Sequence, residues 1–169
     1  MGRPSPMGSV DEDFARLVGR VDYSLFIVTA AHGNERDGCL VGFATQVSIH
    51  PARFLACLSV KNRTYRLAAQ TTTLVVHPIP EDTEELAVLF GGETGDEVDK
   101  FTRCQWEPGP DQTPVLSDVD SWFAGRVLGH VGFGDHVGFV LEPTVVHESG
   151  SQDTLTFRRG RAIEPGHEP

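Results

Sequence analysis

Apolar positions first recur at helical spacing: in DEDFARLVGRV, Phe14, Leu17, Val18 and Val21 fall on one side of a helix with Asp11 as its cap. Beyond Asp22 the pattern changes to short β-prone runs. SLFIVTA predicts a strand ended by the turn-rich HGNERDG, CLVGFATQVSI a second strand, and FLACLSV after Pro51 a third. NRTYRLAAQ reads as a helix that packs through Tyr65, Leu67 and Ala68, and TLVVHPI returns to strand. EDTEELAVLFG predicts a helix with Leu86, Leu89 and Phe90 on one side, and DEVDKF a short helical turn. Two long β-prone stretches, residues 121–133 and 136–146, meet at Gly134-Asp135, the mark of a tight hairpin, and TLTFRRG supplies a last short strand. Strands dominate, at irregular spacing, with helices inserted between them. That predicts a mainly β fold, a barrel with helical insertions, in place of a doubly wound parallel sheet.

Length and composition narrow this to one ordinary globular domain. The chain has 169 residues, 39% hydrophobic and 22% charged. We expect a disordered leader over residues 1–10, the domain over 11–162 and a flexible tail over 163–169. No apolar run approaches the roughly 20 residues that span a bilayer, and the first residues lack the apolar segment of a secretory signal. The net charge of −10 repels a phosphate backbone on average, so neither nucleic acid nor membrane is expected as a partner. Arg158, Arg159 and Arg161 form the one basic cluster, read as a solvated counterweight to local acid. Cys39, Cys57 and Cys104 are odd in number, widely spaced and free of CxxC patterning. They fit reduced thiols in a cytoplasmic protein and give no support to a zinc site.

Several familiar signatures are missing. Gly132, Gly134 and Gly138 have the wrong spacing for a dinucleotide fingerprint, and no helix follows them. FGGETGDEVDK lacks the Gly-Lys-Ser/Thr ending of a phosphate loop, no GxSxG occurs, and His147-Glu148 lacks the second histidine of a zincin helix.

Four segments are unlike ordinary filler. GFATQVSIHP places Thr45, Gln46 and Ser48 in an otherwise apolar strand. KNRTY brings Lys61, Asn62 and Thr64 to the start of a helix. FGGETGDEVDKF ends on Lys100 and Phe101, and GDHVGF sets Asp135 and His136 at the hairpin. With these segments, in this order, the chain resembles the flavin reductase-like family, the flavin-binding split barrels, from about Asp13 to about Arg159.

The resemblance implies a six-stranded antiparallel Greek-key split β-barrel that forms a homodimer, with FMN or FAD in a groove near the subunit interface. Gly42 would allow close approach, and Thr45, Gln46, Val47 and Ser48 would meet the polar edge and flat face of the isoalloxazine. The alternative is that these are strand-compatible residues on a solvated face. Lys61, Asn62 and Thr64 would hold a phosphate, although Asn62 also suits a plain helix cap and family members more often carry small hydroxyl residues here. Lys100 and Phe101 would lie against the flavin, unless Lys100 merely pairs with Asp96, Glu97 or Asp99. His136 would contact the nicotinamide of NADH or NADPH or relay a proton, unless it is an exposed turn histidine. The implied activity is NAD(P)H-dependent flavin reduction, with a flavin-dependent monooxygenase as the recipient of reduced flavin. Its rivals are a split barrel that uses a flavin or another cofactor differently, a passive electron-transfer module, and a barrel interaction domain with no cofactor.

Overall fold

A computed structural model describes residues 9–150, 153–160, 163 and 166. Most of the leader and tail expected from the sequence, with Arg161, lies outside the described residues. The elements are α1 (Val10–Val18), β1 (Phe26–His32), β2 (Glu35–Val41), β3 (Ala44–Ser48), β4 (Arg53–Ser59), α2 (Arg63–Ala68), β5 (Thr73–Pro78), α3 (Glu84–Gly92), β6 (Trp106–Pro108), β7 (Pro114–Leu116), β8 (Trp122–Gly132), β9 (His136–His147) and the single turn α4 (Phe157–Gly160).

Seven strands, one more than expected, form a sheet in the order β2-β1-β5-β8-β9-β4-β3, with every neighbouring pair antiparallel. The jumps from β1 to β5 and from β4 to β9 are Greek-key connections. β6 and β7 make a separate two-stranded ribbon.

β1 shows why the sequence reads as continuous apolar strand. Val28 and Ala30 point into the barrel with Leu58, Leu74, Phe139 and Leu141, whereas Ile27 points outward to a second core with Ile79, Leu86, Phe90 and Leu155. Both faces of β1 are thus covered, the outer one by α3. A strand buried on both sides loses the two-residue alternation.

Four local expectations are corrected. Ser9 caps α1 in place of Asp11: its hydroxyl accepts from the Glu12 N–H while Glu12 reaches back to the Ser9 N–H. The apolar side of α1 is exposed, Phe14 at 61% and Leu17 at 62%. The turn after β1 is confined to Gly33 and its neighbours, because Glu35–Gly38 already pairs with β1. CLVGFATQVSI divides at Gly42-Phe43 into β2 and β3. TLTFRRG is a bridge and a helical turn: Thr154 pairs with Pro80, Thr156 with Ser24, and Phe157 starts α4.

Candidate active site

The ends of the sheet, β2 and β3, leave a split in the barrel, and a cavity of about 480 Å³ lies there. Its lining includes the consecutive residues Cys39, Leu40 and Val41. Cys39 and Val41 belong to the barrel core and Leu40 to the outer one, so the cavity wraps the free edge of β2. The chain crosses to β3 through Gly42 and Phe43, β4 contributes Cys57 and Ser59, and Asn62, Asp135 and His136 complete this side. The opposite wall is Tyr23, Leu25, Phe90, Gly91, Phe157, Gly160 and Ile163, with Glu93 beside them.

The free edge of β2 has a definite polarity. Odd residues 35, 37, 39 and 41 face β1, so residues 36, 38 and 40 turn their N–H and C=O groups outward. Arg63 donates to the Arg36 carbonyl at 3.2 Å, and Lys100 donates to the Gly38 carbonyl at 2.6 Å. Leu40 is next in the series. Its peptide edge, one donor and one acceptor, faces the split where the cavity lies.

Of the residues predicted from sequence, the structure gathers Gly42, Asn62 and His136 around this cavity. Asn62 sits at the start of α2 with no side-chain capping bond, so its amide is not used up by the helix. The His136 Nδ1–H donates to the Asp135 carboxylate at 2.8 Å, and the ring meets Phe43 with centroids 5.1 Å apart. The hydrogen bond from His136 holds the Asp135 carboxyl below its ordinary range, with the Lys61 ammonium adding to the effect. Lys61 is itself exposed at the end of β4.

Thr45, Gln46 and Val47 are exposed on edge strand β3, with Ser48 half-buried at its end. They follow the cavity-lining Gly42 and Phe43 along the chain and are not among its lining residues. Gln46 donates its amide to the Ser48 carbonyl at 3.1 Å.

Three expectations are corrected. Thr64 is fully buried and donates its hydroxyl to Asp37 at 3.0 Å, which takes it from the phosphate-binding set. Lys100 is 3% exposed, bound to Gly38 and 3.6 Å from Asp37, so it neither touches a ligand nor pairs with Asp96, Glu97 or Asp99. Phe101 packs edge-on between Phe90 and Trp106 in the outer core. For Thr64 and Lys100, the Gly38 carbonyl and the buried Asp37 carboxylate of β2 recruit side chains that the sequence pattern leaves unassigned.

Sequence reasoning missed Tyr23, Leu40, Phe90 and Phe157. Tyr23 lies outside the predicted runs, Phe157 falls in a segment read as an ordinary short strand, and the middle two read as core. Ser59 carried a usable signal, as a hydroxyl ending an apolar strand just before KNRTY. Cys39 and Cys57 line the cavity, and burial favours their protonated thiols, pushing Cys39 up to about 11 and raising Cys57 as well.

A largely apolar cavity with a peptide edge on one side and an amide, an imidazole and a hydroxyl on another suits a flat heteroaromatic ring with a polar rim. The comparisons with known proteins agree. The chain is 26% identical over 148 residues to a Methylorubrum extorquens protein named FMN reductase (NADH) RutF, which covers 88% of this chain and 72% of that one. It is 27% identical over 142 residues to a Rhizobium meliloti relative, covering 82% of this chain but only 44% of the relative's length. Among solved structures, the Streptomyces globisporus NADH:FAD oxidoreductase SgcE6 superposes with a TM-score of 0.80 at 19% identity, covering 90% of this chain and 92% of that one, a likeness of fold. The family model described as flavin reductase like domain matches residues 18–164, and the chain belongs to that family.

Proposed function

We propose that this chain is an NAD(P)H-dependent flavin reductase that binds FMN or FAD in the split between β2 and β3. The observation that carries the reading is the cavity itself: it joins an apolar slot to the Leu40 peptide edge, which has no partner among the described residues, and to the Asn62 and His136 side chains. When bound there, the flavin supplies an N5 that takes hydride from C4 of the nicotinamide.

The chain's own residues bind and orient. Leu40 offers its N–H and C=O to the pyrimidine rim, and Leu25, Phe90 and Val41 give the ring apolar contact. Thr45, Gln46, Val47 and Ser48 extend the groove along β3, and Lys61 with Asn62 receives the phosphate. His136, its Nδ1–H fixed by Asp135, turns its other nitrogen to the nicotinamide. No residue acts as nucleophile, and acceleration comes from holding the two rings at contact distance.

Exposed Phe43 and Asp135 leave the cavity open at one side, which supports exchange of flavin and its delivery, reduced, to a flavin-dependent monooxygenase. The exposed Val47 and Ile49 beside the β3 edge support a homodimer. Three free thiols support a cytoplasmic setting.

Anaerobic titration with FMN or FAD, followed by NADH or NADPH, tests the reading. Bands near roughly 370 and 450 nm that bleach on adding nicotinamide support it. A protein that binds neither flavin refutes it, and one that binds flavin without bleaching is a passive carrier.

A further inference from the structure

Two segments distant in sequence meet at the apolar wall of the cavity. The Tyr23 ring stacks on Phe157, with centroids 4.8 Å apart and planes 16° from parallel. Its edge lies over Gly42, where an added Cβ would stand 3.0 Å from Cε2 and 3.5 Å from the hydroxyl. The backbone locks the pair together. The Phe157 N–H donates to the Tyr23 carbonyl at 2.8 Å, and the Arg158 N–H donates to the Asp22 carboxylate at 3.0 Å.

The ring is therefore held on one face and one edge. Its hydroxyl makes no hydrogen bond among the described residues, although Tyr23 lines the cavity. A polar group set on a rigid support at the wall of an otherwise apolar slot is placed to recognise a ligand, because its orientation costs nothing further at binding. Burial and the neighbouring Asp22 raise the phenol above its ordinary range, so it remains a donor at neutral and mildly alkaline pH.

We propose that Tyr23 is a ligand-contacting residue: its hydroxyl donates a hydrogen bond to a carbonyl or ring-nitrogen acceptor of the flavin, and Phe157 is the platform that aims it. The proposal rests on the flavin reductase reading above. It explains the glycine at 42, since a side chain there would displace the ring that carries the donor.

Tyr23→Phe removes the hydroxyl and keeps the stack and the contact with Gly42. Titration with FMN, followed by quenching of flavin fluorescence, should show a dissociation constant about three- to tenfold higher than wild type, the worth of one neutral hydrogen bond. The unfolding midpoint should not move, because the hydroxyl has no partner among the described residues, and the KM for NADH at saturating FMN should not change. Equal FMN affinity in the two proteins overturns the proposal, as does a variant whose sole change is a higher KM for NADH. Failure of the wild type to bind FMN is a separate result, and it removes the flavin reading itself.

Discussion

Lys100 donates its ammonium to the carbonyl of Gly38 at 2.6 Å from a position almost wholly out of solvent, with the Asp37 carboxylate 3.6 Å away. It caps the free edge of β2 one step before Leu40, and thereby fixes the strand on which the cavity is built. Replacing it leaves a buried carboxylate and an unmet carbonyl, so Lys100→Met should cost about 3–5 kcal/mol of folding free energy. Urea unfolding measures this. A loss below about 1 kcal/mol would show that Asp37 readily finds another partner.

The same carboxylate explains a glycine. A Cβ on Gly95 would collide with the Asp37 carboxylate, and that group cannot swing aside because Thr64 and Lys100 hold it. Gly95→Ala should therefore destabilise by about 1–3 kcal/mol. Gly129→Ala, with nothing within 4 Å of the new methyl, serves as control. Equal unfolding midpoints in the two variants would mean that the loop simply moves away.

Lys100 also marks where the sequence ceases to be informative. The succession of strands along the chain and the main hairpin were legible because β4, β5, β8 and β9 carry strong apolar runs and Gly134, at φ 117, permits the turn. Gly42, Asn62 and His136 were named through the family resemblance, and they lie around the cavity. Lys100, Thr64 and Phe101 misled, since a lysine or threonine that completes a buried strand edge looks the same in sequence as one that meets a phosphate. The difference lies in Asp37 and Gly38, more than sixty residues from Lys100. β6 and β7 were missed for another reason: three-residue strands rich in proline carry no alternation to read.

His77 supplies a pH prediction. Fully buried in β5, it donates from Nδ1 to the Ile27 carbonyl and accepts at Nε2 from the Leu116 N–H, both at 3.1 Å, which requires the neutral ring. Burial lowers it from 6.5 to about 4. Between these values the unfolded chain binds a proton that the folded chain refuses. Stability should fall as pH drops from 6.5 toward 4, by on the order of 3 kcal/mol from this group, and be flat in this contribution above 6.5. Urea midpoints across that range test it. A His77→Gln variant, less stable overall, should lose this part of the slope, and an unchanged slope would assign it to other groups.

Gly42 and Thr45 separate the two parts of the proposed groove. Gly42→Val pushes a branched side chain into the Tyr23 ring, displacing both ring and hydroxyl, and should weaken FMN binding about tenfold or more. Thr45→Val changes an exposed hydroxyl on β3, so its effect on the FMN dissociation constant should be smaller but measurable, about two- to fivefold. If Thr45→Val leaves affinity unchanged, β3 is only a solvated edge and the ligand stays within the cavity.

His136 and Asp135 should act on the second substrate. The carboxylate accepts from Nδ1–H and so fixes which nitrogen is left for a ligand, while Phe43 limits the tilt of the ring. His136→Ala removes the contact and should raise the KM for NADH about three- to tenfold with little change in kcat, since binding is lost and no proton transfer is required of it. Asp135→Asn keeps the imidazole but offers Nδ1 an amide that can donate as well as accept. It should give a smaller rise in KM. Steady-state kinetics at saturating FMN, with NADH varied, distinguish the outcomes. A large fall in kcat for His136→Ala would make the imidazole a participant in the chemical step, whereas wild-type kinetics in both variants would return the pair to the role of an ordinary surface turn.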